Sequence, residues 1–152
     1  MSDRLAKLIS TLFSLGYSKY FPGTLGSAAA IPFGLIIIIF LGINFLIFLI
    51  FSLFIISYFS VNIYIRDNKS KDPKEVIIDE FIGQLIVLIF TPLSVKGIML
   101  GFIIFRFFDI SKIYPVSRAE KLEGSLGVLA DDIVAGILTS IIIIFLDIFG
   151  II

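Results

Sequence analysis

The sequence predicts an all-α integral membrane protein. Its helical bundle has about four to five membrane-embedded helices and a short N-terminal interfacial helix. Two observations predict that class. Hydrophobic residues make up 59% of the 152 and charged residues only 16%, where a soluble domain carries about a quarter charged. Mean hydropathy is +1.13, and the apolar residues gather in runs comparable with the ~20 residues that span a bilayer core. The length suits one domain, residues 1–152, and no shift in composition marks a second. Twelve basic and twelve acidic residues cancel, so no net field draws the chain to nucleic acid.

The elements follow in order. Leu5, Leu8, Ile9, Leu12 and Phe13 recur at helical spacing with Arg4 and Lys7 off the stripe, the pattern of a helix lying in the membrane interface. Pro22-Gly23 marks a loop, with Thr24 as N-cap of a first apolar run from about Leu25 to Ile43. Within it, Gly26, Ala30 and Gly34 form a small-residue stripe that admits a close neighbour. After Gly42 and Asn44, Phe45 to Ile65 is a second run. Arg66 to Glu75 reads as a charged loop. Pro73 suits the first turn of a third helix, Val76 to about Phe90. The fourth run, Val95 to Phe108, carries Gly97 and Gly101. Asp109 to Gly127 is a polar connection, and Val128 to Phe149 is the last run. The third helix is short: Val76 to Pro92 reaches only ~25 Å against a core of about 30 Å.

Charges at the edges of these runs are the functional clue. Asp79 and Glu80 open the third run, Arg106 and Asp109 close the fourth, and Asp131 and Asp132 open the last. An ionisable group at membrane depth costs several kcal/mol, so it marks function by default. With a cytoplasmic N-terminus and five crossings, every basic residue except Lys96 falls on the cytoplasmic side, as the positive-inside rule asks. The same count brings the Pro22–Ser27 loop, Asp79, Glu80, Asp109, Asp131 and Asp132 to that side.

Absences narrow the chemistry. The chain has no cysteine and no histidine, which removes disulfides, thiolate nucleophiles, phosphohistidine and the usual zinc ligands. Carboxylates alone select a hard cation such as Mg²⁺, Mn²⁺ or Ca²⁺. Arg106, Asp109 and Lys112 stand three apart, so one helical edge presents cation, anion, cation. A plainer reading takes the acid pairs as helix-start features favoured by the dipole and Arg106/Asp109 as an intrahelical ion pair. Their convergence on one side weighs against it. Asp67, Glu75, Glu120 and Glu123 read as solvated loop charges.

Four blocks carry a resemblance to a known family. They are Pro22-Gly23-Thr24-Leu25-Gly26-Ser27; Asp72-Pro73 with Ile78-Asp79-Glu80-Phe81-Ile82-Gly83-Gln84; Phe105-Arg106-Phe107-Phe108-Asp109-Ile110-Ser111-Lys112; and Gly127-Val128-Leu129-Ala130-Asp131-Asp132 with Ala135-Gly136. From about Gly16 to Gly136 the chain resembles the phosphatidylglycerophosphatase A family. It departs at Lys112-Ile113-Tyr114-Pro115, where the family has Lys-Pro-x-Pro, and at Gly124-Ser125-Leu126-Gly127, where it has Gly-Gly-x-Gly.

The resemblance implies a Mg²⁺-dependent lipid phosphatase of the bacterial inner membrane, its active site facing the cytoplasm. It would hydrolyse phosphatidylglycerophosphate to phosphatidylglycerol and phosphate, the last step of phosphatidylglycerol synthesis. On that reading Asp79, Glu80, Asp109, Asp131 and Asp132 hold Mg²⁺ directly or through water, with Asp72 nearby. Arg106 and Lys112 stabilise the transferring phosphoryl group, and Thr24 and Ser27 orient it. The alternatives from other classes are a small transporter or proton-coupled carrier, which also uses intramembrane acids, and a non-catalytic membrane scaffold.

Overall fold

A computed structural model describes residues 1–68 and 73–152. Lys69, Lys71 and Asp72, expected in the charged loop, lie outside the described residues. Seven α-helices run through the rest: α1 (Asp3–Ser10), α2 (Pro22–Leu41), α3 (Ile43–Asn68), α4 (Ile78–Phe90), α5 (Val95–Ser111), α6 (Val116–Ala119) and α7 (Ser125–Ile148). Three are long and apolar enough to cross a membrane: α2, α3 over Ile43–Asp67, and α7. The expected third and fourth runs, α4 with 13 residues and α5 with 17, fall short of that length.

Helix α1 starts at Ser2, whose hydroxyl accepts the Leu5 N–H. It ends where Leu12, Phe13 and Ser14 take left-handed backbone angles. Small residues, Ala6 and Ser10, are its buried side, and α1 packs on α3. Leu5, Leu8 and Phe13 face outward with Tyr20 and Phe21, an apolar belt suited to a bilayer interface. The Ser10 carbonyl accepts the Ile77 N–H at 3.0 Å. Gly16 lies so close to Glu75 that a β-carbon would come within 2.0 Å of its carbonyl oxygen. The N-terminal segment thus pins the entry to α4.

Three starts differ from the sequence reading. Phe21, not Thr24, is the N-cap of α2, and Pro22 takes the first helical position, where its fixed φ and missing N–H cost nothing. Pro73 precedes α4 rather than opening it. Its carbonyl accepts the Val76 N–H in a turn, and the helix begins only at Ile78. The connection after α5 contains α6, and α7 begins at Ser125, which places Asp131 and Asp132 in its second turn rather than its first.

Helix α4 is the shortest of the long helices and the most buried. Ile78, Phe81, Ile82, Leu85, Val87 and Leu88 are all shielded, and α2, α3, α5 and α7 surround it. A helix apolar on all faces belongs inside. The small-residue stripe of α2 packs here: a β-carbon on Gly26 would press on Ile77, and one on Gly34 on Leu85 and Leu88. On the other side α4 meets α7 backbone to backbone. A β-carbon on Gly136 would lie 2.7 Å from the Gly83 oxygen, and one on Gly83 would lie 2.8 Å from the Asp132 oxygen.

That contact yields a test. Gly136→Val forces the helices apart and should destabilise the fold by about 1–3 kcal/mol, the usual cost of overpacking. A lowered thermal unfolding temperature in detergent micelles is the expected result; an unchanged one would show that the helices are not in backbone contact.

Candidate active site

The starts of α2, α4 and α7 and the end of α5 meet around one cavity of about 1220 Å³. Asp79, Glu80, Arg106, Asp109, Lys112, Asp131, Asp132 and Thr24 all line it, so the acids and cations expected to converge do so. Ser27 does not line it. Its hydroxyl donates to the Gly23 carbonyl at 2.9 Å and accepts from Arg106 Nη1 at 3.2 Å.

Three carboxylates form the floor. Asp79, Glu80 and Asp132 each offer an oxygen within 4.8 Å of the others. Asp79 and Asp132 are buried, and Glu80 is partly shielded. Asp79 lies four residues before Gly83 and Asp132 four before Gly136, so on each helix the acid and the glycine share a face. The backbone contact at the glycines therefore sets the distance between the acids one turn above. Gly23 completes the wall. A β-carbon there would come within 2.0 Å of Glu80 Oε1 and 3.3 Å of Arg106 Nη1, so a larger residue would push those two side chains out of their present positions.

The other two acids are engaged by cations. Arg106 Nη1 bonds Asp109 Oδ2 and lies 3.9 Å from Glu80 Oε1. Lys112 Nζ bonds Asp131 Oδ2 and lies 3.6 Å from Asp109 Oδ1. Lys112 is the C-cap of α5 in a left-handed conformation, turned out of the helix toward α7. Burial disfavours its ammonium form. The hydrogen bond to Asp131 and the charges of Asp131, Asp132 and Asp109 outweigh that and hold its pKa above the usual lysine value.

The donor set fits a hard divalent cation. All its ligands are carboxylate oxygens, and Glu80 Oε2 and Asp132 Oδ1 are buried without a hydrogen-bond partner among the described residues. Two buried carboxylate oxygens with unused acceptor capacity beside a third acid are a costly arrangement unless a cation satisfies them.

Several contributors escaped the sequence reading. Glu120 and Glu123, read as solvated loop charges, are exposed but line the cavity rim with Lys74 and Lys121. Gly83 and Gly136 were legible only as parts of longer blocks, yet the D-x-x-x-G spacing occurs in both helices and pairs each acid with its packing residue. Phe21, Ile110 and Leu122, large and exposed, also line the opening.

Comparisons with known proteins identify the family. The family described as Phosphatidylglycerophosphatase A matches residues 8–147. Phosphatidylglycerophosphatase A of Escherichia coli is 32% identical over 91% of this chain and 81% of its own length. The protein of that name from Haemophilus influenzae is 36% identical over 90% of this chain and 85% of its own. A Bacteroides thetaiotaomicron protein with the provisional name phosphatidylinositol-3-phosphatase is 30% identical over 91% of both chains. No solved structure matches. A match over nearly the whole length, with the acids gathered in one cavity, settles membership: this chain belongs to the phosphatidylglycerophosphatase A family, a family of phosphatases.

Proposed function

We propose that the chain hydrolyses phosphatidylglycerophosphate to phosphatidylglycerol and inorganic phosphate, with Mg²⁺ as its cation, at the cytoplasmic face of a bacterial inner membrane. The observation that carries the reading is the Asp79–Glu80–Asp132 cluster, its aspartates buried and its glutamate partly shielded, opening on a cavity that also presents Arg106 and Lys112. Asp79, Glu80 and Asp132 would hold the ion, which when bound polarises a phosphoryl group and acidifies water.

The protein's own groups do the rest. Arg106 and Lys112 place positive charge where the phosphoryl oxygens gain negative charge. Asp109 and Asp131 hold those cations in position, and as carboxylates they could also join the ion through water. The N–H groups of Gly23 and Thr24 open α2, where a helix lacks internal acceptors, and with the Thr24 hydroxyl they suit a phosphate oxygen. Ser27 acts through Arg106. In the reaction a water oxygen bonds to phosphorus, the bond to the glycerol oxygen breaks, and that oxygen leaves as a hydroxyl. The exposed apolar side chains at the opening, Phe21, Ile110 and Leu122, suit the lipid portion of the substrate.

Membrane placement follows the charges. Lys96 stands at the opposite end of α5, its ammonium donating to the Ile151 carbonyl, while Lys74, Arg106, Lys112 and Lys121 line the cavity, the asymmetry that the positive-inside rule asks for. On this reading α4 and α5 complete five membrane-embedded helices, the bilayer adapting to the shorter pair. A carrier keeps its ionisable groups near mid-depth, often on broken helices. Here they sit at one end of the bundle, which supports chemistry on a headgroup.

Purified protein in lipid–detergent micelles should release phosphate from phosphatidylglycerophosphate only with Mg²⁺, stop on chelation and resume on re-addition. Turnover without a divalent cation would remove the metal from the reading. Cleavage of phosphatidylinositol 3-phosphate instead would move the substrate to the lipid named for the Bacteroides relative.

Asp79→Asn and Asp132→Asn should each lower kcat by roughly 10²–10³-fold, the scale of losing one preorganised electrostatic contact. Their metal-free unfolding temperature should hold or rise, because a buried like-charge repulsion is relieved. Near-normal turnover in both would count against a ligand role.

Sidedness can be read directly, because the chain has no native cysteine. A cysteine replacing Glu123 should react with an impermeant maleimide in inverted vesicles, and one replacing Lys96 in spheroplasts. The reverse pattern would place the site on the outer face.

A further inference from the structure

Most polar side chains inside the helices close on their own backbone. The hydroxyls of Ser27, Thr91, Thr139 and Ser140 each donate to the carbonyl four residues earlier. Gln84 does not. It is fully buried in the middle of α4, and neither its Oε1 nor its Nε2 has a hydrogen-bond partner among the described residues. An amide buried with both ends unmet is strongly disfavoured, and the reaction described above gives it no task.

Two other unmet atoms belong to the Glu80–Arg106 ion pair. Glu80 Oε2 and Arg106 Nε are likewise buried without partners. Glu80 precedes Gln84 by four residues on the same face of α4, and Arg106 reaches to 3.9 Å from Glu80. The three are complementary: a carboxylate oxygen accepts, a guanidinium N–H donates, and a side-chain amide does both. The other unmet atoms are the hydroxyls of Ser10 and Ser57, on α1 and α3, and Asp132 Oδ1 in the acid cluster.

We propose that Gln84 is a positioning residue that ties Glu80 to Arg106 in the working site. Its Nε2–H donates to one lone pair of Glu80 Oε2, leaving the other for the cation, and its Oε1 accepts from Arg106 Nε. Arg106 is already held at Nη1 by Asp109 and Ser27. A second hold at Nε fixes the plane of the guanidinium, so its remaining edge meets the phosphoryl oxygens in one orientation. The same bridge fixes the distance between that cation and a carboxylate of the cation cluster. The inference rests on the proposed function, and deepens it by naming what orients the phosphate-binding arginine.

Gln84→Leu and Gln84→Met, in the full chain in lipid–detergent micelles, test it by kinetics and thermal unfolding. Both variants should lower kcat by about tenfold or more, the scale of a lost hydrogen bond to a charged group, with KM changed less than about threefold. Their unfolding temperature, measured metal-free, should be unchanged or higher, because in that arrangement the Gln84 amide makes no hydrogen bond to lose. Arg106→Lys keeps the charge but has no Nε, so adding Gln84→Leu to it should cost less than about twofold more. If Arg106→Lys is too slow to measure, the single variants decide.

Full kcat in either apolar variant overturns the bridge, as does a full multiplicative loss in the Arg106→Lys background. A fall in unfolding temperature that tracks the loss of kcat in both variants assigns Gln84 to folding and overturns it too. Wild-type turnover, measured alongside, separates the two readings. An inactive wild type removes the phosphatase reading itself, whereas an active wild type matched by Gln84→Leu removes only the bridge.

Discussion

The site depends on how closely α4 and α7 approach at Gly83 and Gly136. In lipid there is no hydrophobic force between helices, so close packing of backbones takes over. At these glycines the two main chains leave no room for a β-carbon. Asp79 and Asp132 ride one turn above that contact, each on the face that carries its glycine. Their proximity is imposed by backbone geometry, since two buried carboxylates have no attraction of their own. The apolar residues of α4 below, Leu85 and Leu88, pack into the bundle core and hold the helix in register against that repulsion.

What imposes proximity must also manage charge, and α5 does so. Its edge carries Arg106, Asp109 and Lys112 at spacings of three, and the left-handed cap at Lys112 turns the lysine across to α7. Asp109 and Asp131 are thereby engaged by cations, leaving Asp79, Glu80 and Asp132 as the group that a divalent ion would complete. The division is chemical as well as structural. Cations locked to Asp109 and Asp131 keep their orientation, and Arg106 also stands 3.9 Å from Glu80. Gly23 contributes by its lack of a side chain, leaving room beside α2 for the ends of Glu80 and Arg106.

Much of this could be read in the sequence, for a physical reason: a charge at the edge of an apolar run is expensive and therefore informative. Asp79, Glu80, Arg106, Asp109, Asp131 and Asp132 announced themselves that way, and alternating chain direction placed them at one end. Which acid each cation takes was not legible. It depends on helix rotation and on the backbone turn at Lys112, neither visible in residue order. Thr24 and Pro73 were misplaced because caps are chosen by local hydrogen bonds: Phe21 adopts the strained cap, and Pro73 is held in a turn that ends before Ile78. Helix α6 is too short for periodicity to register. Gln84 looked like one more residue of an apolar helix, and only its burial without partners sets it apart.

The shortness of α4 then acquires a cause. Gly26 of α2 packs on Ile77 at the entry to α4, so α2 begins about one turn, ~6 Å, above it. Asp132 is seven residues into α7 after Ser125, so the start of that helix stands ~10 Å above the acid. The central helix begins late while its neighbours continue upward, and the gap over its first turn is the cavity. A longer α4 would fill that space with its own backbone. A recessed start instead puts the acids on the floor of a well one to two turns deep, within reach of a phosphate on a glycerol arm. Phe21, Ile110 and Leu122 line its opening and can stay with the lipid. The same well admits water or headgroup to carboxylates that the apolar packing below would otherwise leave unsolvated, which is how a bundle this hydrophobic can keep them at all.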